Sequence, residues 1–180
     1  MGRKQVVAAD EQFMAEALVE AERALAAGEF PVGCVLVREG RILARGHREN
    51  SCGAHFNELD HAEVVTLRGL LNERPDIDCA GLTVYSTMEP CLMCYATMLL
   101  SGIRRFVWAY EDVMGGGTSL DLHQLPPLYA GMQVTVRGRV LRARSLRLFA
   151  EFFRAWSYWQ DSLLATYTLE QAAKVDDELS

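Results

Sequence analysis

Apolar residues recur at three- and four-residue spacing early in the chain. Phe13, Met14, Ala17, Leu18, Ala21 and Leu25 mark one face of a helix that stops at Gly28. The period then changes. "PVGCVLV" and "RILARG" are β-rich runs separated by "REG", the pattern of a hairpin with a short turn. Residues 47–60, "HRENSCGAHFNELD", are polar and aperiodic, which predicts a loop long enough to carry function. A helix is expected from Ala62 to about Leu71, ended by "NERPD". A strand follows at "LTVYST", then a helix over "CLMCYATMLLSG" closed by Gly102. "RRFVWAY" reads as a strand, "GGGTS" as a turn and "LDLHQL" as a short helix broken at Pro126 and Pro127. "MQVTVRGRVL" is a fifth strand, and from Ala143 one or two helices carry the chain to an acidic end. Helix, hairpin, then alternating helix and strand predict an α/β sandwich around one mixed sheet.

Length and composition narrow the class. The 180 residues correspond to one domain, and a hydrophobic share of 50% supplies a sizeable core. A formal net charge of -6 argues against affinity resting on a broad basic surface, though not against a local basic patch. The N-terminus has only a four-residue apolar run, which reads as neither a secretory signal nor a membrane anchor. Met1-Gly2 departs from the myristoylation pattern because Val6 stands where Ser or Thr is needed. Five cysteines, an odd number, fit a reducing compartment better than a disulfide framework. These readings predict a soluble cytoplasmic protein without a membrane partner.

The chemistry lies in two short motifs. Cys91 and Cys94 stand three apart, so on a helix they face the same way, and Pro90 before them suits a helix start. Thiolates there gain from the unpaired N–H groups of the first turn. Alone, a C-x-x-C is equally a redox pair or two core cysteines. His61 changes that balance, because it also opens a helix, and crossovers between parallel strands deliver successive helix starts to one sheet edge. His61, Cys91 and Cys94 can therefore converge. Three ligands of nitrogen and sulfur suit zinc and leave a position open, the catalytic rather than the structural pattern. A fourth ligand from Cys34, Cys52 or Cys79 would make it structural; Cys34 lies in a β-run and suits the core, whereas spacing leaves Cys52 open. Glu63, two places after His61, is a carboxylate beside the metal able to take a proton from water and pass it to a leaving nitrogen; the plainer reading is an acidic residue favouring a helix start.

"HAE" followed by "PCLMC" is the H-x-E … P-C-x-x-C pattern that resembles the cytidine/deoxycytidylate deaminase superfamily, whose signature is a standard example of zinc deaminase chemistry. The resemblance runs from about residue 11 to 154, and "FPVGCVLV", "STMEPCLMC" and "LFAEFFR" look most like bacterial tRNA adenosine deaminases and the related guanine and cytosine deaminases. It implies a five-stranded mixed sheet flanked by helices, a three-layer α/β/α sandwich, assembled as a homodimer. Residues 1–180 would form a single zinc-dependent deaminase domain, with 155–180 its C-terminal helical extension. It implies zinc held by His61, Cys91 and Cys94, with Glu63 as proton shuttle: activated water adds to the ring carbon bearing an exocyclic amine, and ammonia leaves. The family's base-holding asparagine lies eleven positions before the zinc histidine, where Asn50 stands in an otherwise atypical loop. Ala62, between His61 and Glu63, joins the expected substrate wall.

Other residues carry plainer expectations. His47 and His55 flank the site loop and are candidates to touch substrate; Asp112, at a strand end, is a candidate for reading a base edge or a turn residue. His123 reads as a surface or packing histidine, and the triple glycine at 115–117 lacks the Lys-Ser/Thr of a phosphate loop. Three functions remain: a deaminase of a free base or nucleoside, a tRNA wobble-adenosine deaminase, and a zinc protein without catalysis. Glu63 weighs against the third. Motif similarity favours tRNA and the acidic charge favours a small molecule. Beyond Arg154 the chain has Lys174 as its only basic residue and carries Trp156, Tyr158, Trp159 and Tyr167, which would close the cavity or simply pack. The small base or nucleoside is therefore the preferred expectation.

Overall fold

The computed structural model describes residues 3–178, with side chains for 6–175; the Met1-Gly2 reading and the side chains of Asp176, Asp177 and Glu178 lie outside the described residues. A long helix α1 (Arg3–Ala26) leads into the hairpin of β1 (Gly33–Arg38) and β2 (Arg41–His47). Glu39 and Gly40 both have positive φ, 51° and 74°, the two-residue turn whose twist matches the flanking strands. Then come α2 (Ala62–Glu73), β3 (Thr83–Met88), α3 (Leu92–Leu100) and β4 (Arg105–Tyr110). A one-turn helix α4 (Pro127–Ala130), β5 (Thr135–Arg137), α5 (Arg142–Ala155) and α6 (Leu163–Glu178) complete the order. The five strands form one mixed sheet ordered β2-β1-β3-β4-β5.

Alternation along the strands builds two cores. Val35 and Val37 of β1, Tyr85 of β3 and Val107 and Ala109 of β4 face Phe13, Met14, Ala17 and Leu18 of α1. Cys34 and Leu36, Val84, and Phe106 and Tyr110 point the other way, into the larger core that holds Leu67 and Leu70 of α2 and Met98 and Leu99 of α3. The expected α/β/α layering is what the chain adopts. Asp10 of α1 clamps the first core: its carboxylate, 1% exposed, accepts hydrogen bonds from Tyr85, Arg105 and Arg137 on three successive strands. Burial pushes its acidity down, and those three donors outweigh burial and hold its pKa below the usual carboxylate value.

The last strand departs from its expected length. β5 pairs with β4 only over Thr135–Arg137. Gly138 packs so closely on Trp108 that a Cβ there would meet the indole at 2.3 Å, and Arg139 and Leu141 adopt left-handed φ of 65° and 56°. The chain thus turns out of the sheet into α5 instead of extending through Leu141. "LDLHQL" gives only a single 3-10 turn at Leu122–Gln124, and Pro127, expected as a breaker, instead occupies the first turn of α4, where its missing N–H is harmless.

Candidate active site

Both β2 and β3 run antiparallel to β1, and β3 runs parallel to β4. β2 and β3 therefore point the same way, and the helices that leave them, α2 and α3, begin at the same sheet edge. His61 caps α2 with φ -61° and ψ 146°, and Cys91 caps α3 with φ -64° and ψ 169°. The two helix starts converge: His61 Nδ1 lies 3.5 Å from Cys91 Sγ and 3.4 Å from Cys94 Sγ. A tetrahedral zinc at its usual distances from nitrogen and sulfur separates such atoms by about 3.6 Å. The donor set fits that ion. Among the described residues these three form the group able to hold a metal; Cys34 is buried in the β1 core, and Cys52 and Cys79 stand apart. Hydrogen bonding with Cys94 brings Cys91 down to about 4, while the same contact and burial push Cys94 well above the usual thiol range.

Behind the cluster lies a cavity of about 310 Å³, within the range of small-ligand sites. Glu63 borders it, 3% exposed, with Oε1 accepting from the Ser86 hydroxyl at 2.9 Å. Burial and the neighbouring Cys91 raise the carboxyl above its ordinary value. Ala62 lines the cavity, fully buried. Asp112 lines it too, but its Oδ1 is engaged by the N–H groups of Met114 and Gly115, so it shapes the 112–115 turn. Of the three glycines Gly115 lies in that turn, Gly116 bridges to Cys91, and Gly117 N–H donates to Pro90 O.

Three candidates for touching the substrate, Asn50, His55 and His47, are not on the cavity wall. Asn50 sits in a left-handed conformation with φ 54°, and its amide donates to Asp60 Oδ2 at 2.8 Å. That hydrogen bond ties its side-chain nitrogen to the loop. His55 is exposed at the loop tip, its carbonyl accepting from Asn57 Nδ2. His47 faces α1, with Nδ1 3.5 Å from Glu20 Oε2, and His123 sits on the surface with Nδ1 3.1 Å from Ala130 O.

The residues the sequence left unmarked are Arg48 and Glu58. Arg48 follows β2 directly, is 2% exposed and lines the cavity. Its Nη2 donates to Asn57 O at 2.7 Å and Glu58 Oε2 at 3.1 Å. The same Glu58 oxygen lies 3.5 Å from His61 Nε2, the ring nitrogen turned away from the sulfurs. A carboxylate at that nitrogen fixes the ring of a metal-binding histidine. The signal available was position: Arg48 stands at the strand end feeding the site edge, and Glu58 stands three residues before His61. The C-terminal aromatics divide. Tyr158 and Trp159 line the cavity, and the Tyr158 hydroxyl donates to Glu58 Oε1 at 2.9 Å. Burial and Glu58 push that phenol up to about 12. Trp156 stacks on Phe152 at 5.2 Å, and Tyr167 donates to Glu111 Oε1, so these two pack the fold.

Comparison with known proteins places this geometry. The sequence profile described as "Cytidine and deoxycytidylate deaminase zinc-binding region" matches residues 7–110. The "tRNA-specific adenosine deaminase" of Bacillus subtilis (strain 168) is 32% identical over 145 residues, covering 81% of this chain and 89% of that protein. The protein of the same description from Agrobacterium fabrum is 33% identical over 140 residues, covering 72% and 90%. The chloroplastic "tRNA(adenine(34)) deaminase" of Arabidopsis thaliana is 31% identical over 161 residues, but this chain spans only 12% of its length. Among solved structures, one described under A-to-I editing by tRNA:A34 deaminases at the wobble position superposes with a TM-score of 0.66 at 29% identity, covering 76% of this chain and 98% of that one. A guanine deaminase from Nitrosomonas europaea, at 19% identity and a TM-score of 0.64, shares the fold, covering 79% of this chain and 83% of its own. With a zinc-fitting trio at the edge of a five-stranded sheet and a profile spanning more than half its length, this chain belongs to the zinc-binding cytidine and deoxycytidylate deaminase family of hydrolytic deaminases.

Proposed function

We propose that the protein deaminates adenosine within a transfer RNA, with residues 1–180 acting as one unit and 155–180 as its extension. The observation that supports this reading most is the similarity to tRNA-specific adenosine deaminases over 81% of the chain and 89% of the Bacillus protein. It reverses the preference for a small substrate that the acidic charge suggested. His61, Cys91 and Cys94 are assigned as the zinc ligands. Zinc, when bound, supplies a Lewis acid that makes water a nucleophile near neutral pH. Glu63, buried beside that position, takes one proton from the water and delivers it to the ring nitrogen, then takes the proton left on the added hydroxyl and delivers it to the departing amine as the carbonyl forms and ammonia leaves. Ser86 fixes one oxygen of Glu63, and Glu58 fixes the His61 ring.

A second reading, a free base or nucleoside as substrate, is favoured by one feature: Tyr158 and Trp159 bring the acidic C-terminal segment onto the cavity wall. One experiment separates the two. An unmodified transfer RNA with a wobble adenosine is expected to gain inosine, while free bases and nucleosides release no ammonia; the reverse outcome establishes the small substrate. The homodimer is likewise proposed. Leu92 and Leu100 are 55% and 58% exposed and offer apolar surface on α3, so sedimentation should show a particle of twice the 20.1 kDa chain.

A further inference from the structure

One residue of the cavity wall keeps a donor without an acceptor. Arg48 is 2% exposed, and of its two terminal nitrogens Nη2 holds Asn57 O and Glu58, while Nη1 is buried with no hydrogen-bond partner. Leaving such a group unsatisfied is costly, and more so when it is charged, so the partner is expected from outside the chain. Arg48 lines the same cavity as His61 and Glu63. We infer that Arg48 is a specificity-determining residue that donates from Nη1 to a hydrogen-bond acceptor, a ring nitrogen or carbonyl oxygen, on the edge of the base occupying the cavity. This rests on the reading of the cavity as a nucleobase site.

Charge selects a neutral acceptor rather than a phosphate. Glu58 already balances the guanidinium at 3.1 Å, and Glu63, Glu89 and Asp112 line the same cavity. An anionic group would meet those carboxylates; a ring nitrogen or carbonyl meets one directed N–H. The chemistry also differs from that of an asparagine in the same role. An amide offers both a donor and an acceptor, whereas a guanidinium only donates. The base edge facing Arg48 must therefore accept, and a base presenting N–H on that edge leaves two donors opposed. Asn50 does not share this task, since its amide is bonded to Asp60.

The test uses the full-length, zinc-loaded protein, wild type beside Arg48→Met and Arg48→Lys. The probes are adenosine, guanosine and cytidine, their analogues with one ring nitrogen replaced by C–H, and an anticodon stem-loop carrying the same replacements. Binding is read by titration, with zinc content and melting temperature recorded for each protein. In the wild type, one replacement is expected to weaken binding about tenfold, the size of one buried hydrogen bond. Arg48→Met should bind the parent about tenfold more weakly and no longer distinguish it from that analogue. If Arg48→Met fails to fold, Arg48→Lys, which keeps the charge near Glu58 but loses the planar fork, carries the same comparison. Unchanged discrimination in a folded variant overturns the proposal even if affinity falls, because that is what a loop-holding role gives. Absence of base binding by the wild type overturns it too. Binding with the expected discrimination but without ammonia or inosine from any probe refutes the deaminase reading while leaving the Arg48 contact standing.

Discussion

The cavity has two walls of different construction. His61, Cys91 and Cys94 stand at the first turns of two helices that leave one sheet edge, and the backbone alone brings them together. Opposite them, Arg48, Glu58, Tyr158 and Trp159 come from a loop and a C-terminal segment, joined by a hydrogen bond between residues 100 apart. The first wall is placed by strand pairing, with Glu58 as the one side chain of the other wall that reaches it, at His61 Nε2. The second is held by side chains, Arg48 and Tyr158 both donating to Glu58. Chemistry and selectivity are thus carried by different residues, linked at one point: Glu58, which Arg48 and Tyr158 hold and which reaches the His61 ring.

The largest expected effect breaks the metal wall. Cys91→Ala should lose nearly all zinc and lower the melting temperature, since an ion bound only by the folded state stabilises it; full zinc retention by metal analysis would reject the ligand assignment. Next, Glu63→Gln should keep zinc and the fold while turnover drops about 10²–10⁴-fold. A variant above a tenth of the wild-type rate would remove Glu63 from proton transfer.

Smaller effects concern the C-terminal segment, first where α6 is anchored away from the cavity and then at the second wall itself. Glu111, at the end of β4, binds the Arg142 guanidinium and the Tyr167 hydroxyl of α6. Burial pushes its carboxyl up, but the Arg142 hydrogen bonds and then Tyr167 prevail and bring it to about 2. The ionised form therefore stabilises the fold above its ordinary value near 4.5, and that contribution fades as pH falls toward about 2. Acid titration of Glu111→Gln should lack this component, on the order of 1–3 kcal/mol, with α6 the first segment released. Identical acid profiles for variant and wild type would contradict it. The mildest change is Tyr158→Phe, which removes one hydrogen bond to Glu58 and should raise KM about three- to tenfold with little change in kcat. A fall in kcat alone would place Tyr158 nearer the chemistry than the structure does.

The same division explains what the sequence revealed. His61 with Glu63, and Cys91 with Cys94, are local motifs, and the order of strands and helices around them brings the two together. Arg48 and Tyr158 meet at Glu58, by packing across the chain, and no spacing announces it. Asn50 shows the reverse hazard: it lies at the family's distance from His61, yet Asp60 holds its amide within the loop. The end of β5 was hidden for a similar reason, because the Trp108 ring that crowds Gly138 is thirty residues away in sequence.

Asp10 has a consequence for synthesis on the ribosome. Its carboxylate is bonded to Arg105 and Arg137, which leave the exit tunnel long after α1 has been made. A buried carboxylate without its cations is strongly disfavoured. α1, made well before these arginines, must therefore wait, undocked, for the last strand of the sheet. Pulse-labelled exchange during refolding should find the amides at the hairpin of β1 and β2 protected before those of α1; simultaneous protection would show that α1 docks without its arginines.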